Sequence, residues 1–119
     1  MSHVGCVWRD GVCLWSDARM ADRAWSRARG LLGRRAMDSQ EALWIRPCAA
    51  VHTWGMGFPI DVVWLDGEGR ILALREELSP WRWAWSGQSR VRDTLELAAG
   101  QIRERVLQTG QRLAWHSIP

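Results

Sequence analysis

The chain has 119 residues, 47% of them apolar and 24% charged, with a net charge of +3; that length suits one domain with one buried core, and that balance excludes a disordered or fibrous chain. All 16 lysine-or-arginine positions are arginine, and lysine, asparagine and tyrosine are absent, a bias that GC-rich codon usage explains, so the positive charge alone does not make nucleic acid an expected partner. No apolar stretch approaches the roughly 18 residues of a membrane-spanning helix, and no membrane span is expected.

The first ten residues lack a basic start followed by a long apolar run, so the expected location is the cytoplasm. Residues 4–8 and 12–15 are apolar runs flanking Arg9-Asp10-Gly11, and Asp-Gly between such runs predicts a hairpin with a type I′ turn. With Asp10-Gly11 as the loop, Cys6 falls opposite Trp15 and Trp8 opposite Cys13, with all four side chains on one buried face. Cys6, Cys13 and Cys48 are odd in number and form no Cys-x-x-Cys pair, so they read as reduced thiols used in packing.

Asp17 can cap a helix over 17–33, in which Ala21, Ala24, Trp25, Ala28, Leu31 and Leu32 make one stripe at helical period. Gly30 and Gly33 loosen that pattern and end it. From residue 42 the period shortens: 42–46, 49–54, 60–65 and 71–74 read as strands, the last two joined by Asp66-Gly67-Glu68-Gly69. The near-continuous apolar run 60–65 suits a strand buried on both faces. Trp81-Arg82-Trp83-Ala84-Trp85 alternates at strand period and sets three indoles on one side. Such a segment either lies over the core, docks a partner, or stacks bases. Residues 91–97 resume a strand, 100–109 can form a second helix ended by Gly110, and 112–116 complete the chain as a strand.

The segment Ala49-Ala50-Val51-His52-Thr53-Trp54-Gly55-Met56-Gly57-Phe58-Pro59-Ile60-Asp61-Val62-Val63-Trp64-Leu65-Asp66 resembles the signature of domain-of-unknown-function family 192, the uncharacterised ACR family. Ala28-Arg29-Gly30-Leu31-Leu32-Gly33-Arg34 upstream and Thr94-Leu95-Glu96-Leu97-Ala98-Ala99-Gly100 downstream resemble two further motifs of it, in the same order. The resemblance runs from about residue 17 to 113. It implies a small mixed α/β domain with a barrel-like sheet, and no activity assigned to the family as a class. Gly110-Gln111 departs from the family's Gly-Asp, which removes any role for an acid at 111, and Trp54 and Trp64 stand where another aromatic is common. The expected fold is therefore a single α+β domain, residues 1–119, with a compact, mainly antiparallel, barrel-like sheet and two flanking helices at 17–33 and 100–109.

The candidate site is the turn between His52 and Asp61, with Thr53 and Met56 inside it. A reversal through Gly55-Met56-Gly57-Phe58-Pro59 can bring His52 and Asp61 together, either to hold an imidazole for acid–base or ligand work or to satisfy polar atoms beside a buried turn. Glu96, between Leu95 and Leu97, is expected to face away from them, with Arg34 as partner, forming either a structural clamp or an anion site. Cys48 and His52 lie about 13 Å apart on an extended strand, which disfavours a thiol–imidazole dyad. No metal-ligand spacing, phosphate loop or Gly-x-Ser-x-Gly occurs, so no metal or cofactor is expected. The leading reading is a non-catalytic binding or accessory domain for a small molecule or protein, using that turn and Trp81, Trp83 and Trp85. The alternatives are a small hydrolase-like enzyme using His52, Asp61 and Glu96, and nucleic-acid binding through arginine and tryptophan. The last requires exposed indoles beside a basic face.

Overall fold

In the computed structural model, which describes residues 3–21 and 36–118, Asp10 and Gly11 take φ values of 51° and 79°. Both are left-handed, as a type I′ loop demands. They join β1 (His3–Arg9) to β2 (Val12–Ala21). Trp8 does lie opposite Cys13, but a bulge places Val7, not Cys6, opposite Trp15. The buried side chains here are accordingly Val7, Leu14 and Trp15, while Cys6, Trp8 and Cys13 are half-buried. The Cys13 thiol donates to the Trp15 carbonyl at 3.5 Å and has the Cys6 thiol as a neighbour.

Burial first, and then that Cys6 contact, push the Cys13 thiol from its ordinary 9.0 up to about 11. The folded state thus keeps the proton longer than the unfolded chain does. Its contribution to stability is fully present below pH 9 and is lost as pH rises through about 11. Alkylation of Cys13, mapped by mass spectrometry, is expected to be slow at neutral pH and to accelerate up to that pH; rapid labelling at neutrality would contradict the assignment.

β2 does not give way to a helix at Asp17. It continues to Ala21, paired in parallel with β3 (Glu41–Ile45) from Asp17↔Glu41 to Ala21↔Ile45. Ala18 and Ala21, three apart, face opposite sides of a strand, and each is buried in a different apolar cluster. Pairing on the sheet therefore outweighs the helical spacing over 17–21. The remainder of the predicted helix, 22–33, lies outside the described residues.

The other elements are β4 (Ala50–His52), β5 (Ile60–Leu65), β6 (Ile71–Leu78), β7 (Trp83–Trp85), β8 (Asp93–Ala98), α1 (Gln101–Glu104) and β9 (Ala114–Ser117). Seven strands form one sheet in the order β6-β5-β8-β3-β2-β1-β9, and β4 and β7 form a separate pair. The α+β expectation is thus corrected: among the described residues the fold is nearly all β, with one four-residue helix. Nor is the sheet a closed barrel. Its edges meet only around the isolated bridge Arg70↔Arg112, where the Gly69 carbonyl accepts from the Leu113 N–H at 2.9 Å, the Ile71 N–H donates to Gln111 O at 2.8 Å and the Ile71 carbonyl accepts from the Gly110 N–H at 2.9 Å. Gly69 has φ 83°, and a Cβ on it would collide with the Leu113 carbonyl, so only glycine permits this approach. No ladder continues from the bridge, and the sheet stays open.

The second predicted helix stops early for a visible reason. Val106 adopts φ 53°, its N–H donates to Arg103 O at 3.1 Å, and the Leu107 N–H donates to Ile102 O at 2.9 Å. That is a Schellman ending with a β-branched residue in the left-handed position where glycine is usual. Val106 is exposed, so Val106→Gly relieves strain with little loss of packing. It is expected to stabilise the fold by about 1 kcal/mol, read from denaturant midpoints.

Two apolar clusters line the opposite faces of the large sheet. On β5 and β8, Val63, Leu65, Leu95 and Leu97 belong to the first, which also takes in Trp15, Trp44 and Ile102. Ile60, Val62 and Trp64 belong to the second, which Val51 of β4 and Ala84 of β7 cover. The small sheet is therefore a second layer laid on one face of the large one. Among the described residues no helix is long and apolar enough to cross a membrane.

Candidate functional site

β4 and β7 are three residues each, and so short a pair is not stable alone. Two things hold it. Val51 and Ala84, opposite one another, are buried against the second cluster, and Thr53 stitches the strands' ends together. The Thr53 N–H donates to Arg82 O at 2.8 Å, its hydroxyl donates to Ser79 O at 2.6 Å and accepts from the Arg82 N–H at 2.9 Å, and its carbonyl accepts from Trp81 and Met56 N–H groups at 3.0 and 3.1 Å. The bond to Met56 closes a turn in which Gly55 takes φ 81°, as the third position of a type II turn requires. Trp81 is held at φ 63°, a strained backbone that persists because Thr53 binds both it and its neighbour.

With Val51 and Ala84 inward, strand alternation turns Ala50, His52, Trp83 and Trp85 outward, His52 opposite Trp83 and Ala50 opposite Trp85. The Trp54 ring lies 5.2 Å from that of His52 at an angle of 38°. Trp54, Trp81, Trp83 and Trp85 are 56%, 68%, 60% and 59% exposed. More than half of each of four indoles thus meets solvent around one small sheet, whereas large aromatic side chains are ordinarily mostly buried. Sequence alternation set Trp81, Trp83 and Trp85 on one side; β7 holds only Trp83 and Trp85, and Trp81 stands before it in a left-handed turn. Trp54 was missed, because only the β4–β7 pairing and the turn bring it to His52.

The predicted polar residues are not gathered in one place. Asp61 is fully buried on β5, on the face of Leu97 and Ile102. Its Oδ1 accepts from Glu77 N–H at 2.9 Å, and its Oδ2 from Gly100 and Ile102 N–H groups at 3.1 and 2.8 Å. Glu96 is fully buried as well but lies between Val62 and Leu43, on the opposite face. His52, on β4, stands opposite Trp83, half-buried, with its Nδ1 shut off from solvent. Met56 is buried within the second cluster together with Phe58, so the turn is filled rather than open. Arg34, the predicted partner of Glu96, lies outside the described residues. Hydrolytic use of His52, Asp61 and Glu96 together would need them to converge, and Asp61 and Glu96 lie on opposite faces of the large sheet.

A second set of polar groups went unpredicted. Asp93, fully buried at the start of β8, accepts from Trp44 Nε1 at 3.0 Å, Arg46 Nε at 2.9 Å and Arg92 Nε at 3.3 Å. It anchors two half-exposed arginines on the first-cluster face, with Arg46 5.8 Å over the Trp44 ring, on the side of the large sheet away from β4 and β7; their backbone segments meet where the Cys48 N–H donates to Arg92 O at 2.7 Å. In sequence Asp93 appears only as an interruption of an apolar run; the arginines that justify it come from another strand's end. Among the described residues no three His, Cys, Asp or Glu side chains are grouped to hold a metal ion.

A family model described as domain of unknown function 192, uncharacterised ACR, matches residues 6–115. Two solved structures share the fold. A protein of unknown function from Novosphingobium aromaticivorans DSM 12444 superposes with a TM-score of 0.78 at 15% identity, covering 96% of this chain and 85% of that one. A protein from Sinorhizobium meliloti 1021, described as a candidate transcription regulator, superposes with a TM-score of 0.76 at 22% identity, covering 96% and 92%. No curated protein matches.

Proposed function

Because the chain belongs to the domain-of-unknown-function 192, uncharacterised ACR family, to which no activity is attached, we propose from its surface that it is a non-catalytic binding domain. Its contact surface is the outer face of β4 and β7. The observation that carries this reading is the set of four indoles, each more than half exposed, around a sheet whose inner face is anchored in the core. A rigid aromatic face of this kind recognises flat or ring-bearing groups by stacking, and it loses little side-chain entropy on binding. Within this reading the turn from residue 52 to 61 is the support: Thr53 and Met56 hold the face, and His52 lies on it. Cys6, Cys13 and Cys48 are unbridged, which suits the reducing cytoplasm.

The test follows the indole N–H resonances during titration with a dinucleotide, a neutral glucose oligosaccharide and a proline-rich peptide. At least one is expected to shift the signals of Trp54, Trp83 and Trp85 and to be recovered unchanged. Shifts confined to other parts of the chain, or turnover of the probe, would overturn the reading. His52→Ala is expected to weaken the responsive probe while leaving the melting transition in place, because the half-buried side chain lies beside Trp54 and belongs to neither apolar cluster; loss of cooperative melting would instead make His52 part of the framework.

A further inference from the structure

We infer that the chain has a second binding site, separate from the tryptophan face: the cleft where the two edges of the large sheet meet takes a small phosphate ester that also carries hydroxyl groups. The cleft measures about 390 Å³ and is lined by Trp44 and Arg46, by the turn from Gly67 to Gly69, and by the segment from Arg112 to Trp115. That volume is near the lower limit for small-molecule sites, and the ends of curled sheets, like the mouths of barrels, are among their usual places. Its floor is the first apolar cluster, to which Trp44 and Leu113 belong and against which Trp115 packs.

Two of the lining side chains are guanidinium groups that are already fixed. Arg46 donates its Nε–H to the fully buried Asp93 at 2.9 Å and lies 5.8 Å over the ring of Trp44, whose indole N–H holds the same carboxylate at 3.0 Å. Arg112 donates its Nε–H to Glu68 O at 2.9 Å. In both, the terminal amino groups make no bond among the described residues. A guanidinium tethered through Nε still offers its terminal N–H groups to the oxygens of a phosphate, and it has less side-chain freedom left to lose on binding.

The charges around the cleft favour an anion. Asp93 serves Arg46 and Arg92 together, and Arg92 reaches the same turn, its Nη1 3.5 Å from where a Cβ on Gly67 would stand. Arg112 pairs with no carboxylate among the described residues and stands directly opposite Arg70 across the bridge. Like charges so placed repel, and an anion against Arg112 offsets that repulsion. Asp66 is committed to the Glu68 and Arg70 N–H groups and to Arg90, so the remaining acid of the turn is Glu68, exposed and with no side-chain partner among the described residues. A bare anion gains nothing from Glu68, whereas a ligand hydroxyl donates to it. Arginine donors for a phosphate beside an acceptor for hydroxyls select a sugar phosphate over an inorganic ion or a plain dicarboxylate.

The experiment titrates the full chain with ribose 5-phosphate, inorganic phosphate, ribose and succinate, following the indole N–H resonances of Trp44 and Trp115 together with those of Trp54, Trp83 and Trp85. Ribose 5-phosphate is expected to move the first two signals, to leave the last three in place, and to bind about 10-fold more tightly than any of the other probes. Arg112→Gln, on an exposed side chain, is expected to lose on the order of 10-fold in affinity with its melting temperature unchanged. Arg46→Lys keeps the charge but not the planar fork, and is expected to bind several-fold more weakly. Glu68→Ala is expected to shrink the preference for ribose 5-phosphate over inorganic phosphate, since both phosphates feel the change of charge alike. An unchanged preference would overturn the hydroxyl contact, and succinate binding as tightly as ribose 5-phosphate would overturn the choice of phosphate. Unaltered affinity in both arginine variants, or signals of Trp44 and Trp115 that answer to no probe, would sink the site. None of these results touches the tryptophan face, whose own titration reads different indoles.

Discussion

Asp61→Ala is expected to cost roughly 3–5 kcal/mol of folding stability, because it removes one carboxylate that satisfies three buried backbone N–H groups. Each orphaned donor costs about 1–3 kcal/mol when water cannot reach it. Two of the three sit on unusual backbone: Glu77 at φ 50°, in the bulge that shifts the β5–β6 register, and Gly100 at φ 95°, just before α1. Without the carboxylate the side-chain link between β6 and α1 at that point falls to the exposed Arg103–Glu76 pair, 3.6 Å apart. Asp61→Asn keeps one acceptor oxygen but turns an amide N–H₂ toward backbone donors, and is expected to recover only part of the loss. Denaturant unfolding of the three proteins is the measurement. A cost below about 1 kcal/mol for Asp61→Ala would mean that the bulge and the helix start are held by something else.

Trp64→Ala is the second large effect, again roughly 3–5 kcal/mol, for an unrelated reason. Trp64 is 3% exposed and packs in the second cluster beneath the small sheet. Deleting it opens a cavity that β4 and β7, only three residues each, are poorly placed to fill. Its indole N–H is buried without an acceptor among the described residues, so part of the tryptophan's packing gain is already offset by a desolvated donor. Trp64→Phe is therefore expected to stay within about 1 kcal/mol of the parent. If the two variants were equally damaging, the indole N–H would have to hold an essential bond. Because Trp64 supports the small sheet from below, Trp64→Ala should also blunt any ligand response of Trp83 and Trp85, whereas Asp61→Ala acts on the opposite face.

Local chemistry made much of the strand content legible. The left-handed pair Asp10-Gly11 marks its hairpin because few other dipeptides accept two positive φ values, and the run of residues 60–65 reads as doubly buried because the sheet is covered on both faces. The errors fall where side-chain spacing is ambiguous between periods. Ala18 and Ala21 satisfy a helical stripe as readily as the two faces of a strand, and only parallel pairing with β3 decides between them. The end of α1 misled for a similar reason: Gly110 is the residue expected to stop a helix, yet Val106 does so against its own preference, because the Ile102 and Arg103 carbonyls capture the next two N–H groups.

The candidate site divides along the same line. Composition, turn residues and apolar period determined by themselves that residues 42–116 are mostly strands around an apolar interior and that Trp83 and Trp85 share a side, while three motifs in order carried the resemblance to the uncharacterised ACR family. Only the tertiary structure decided that Asp61 and Glu96 lie on opposite faces of the sheet, that His52 stands beside Trp54 and opposite Trp83, and that arginines from two separate segments meet at Asp93. Those are relations between residues far apart in sequence. They are set by register and layer packing, which a period read along one strand does not contain.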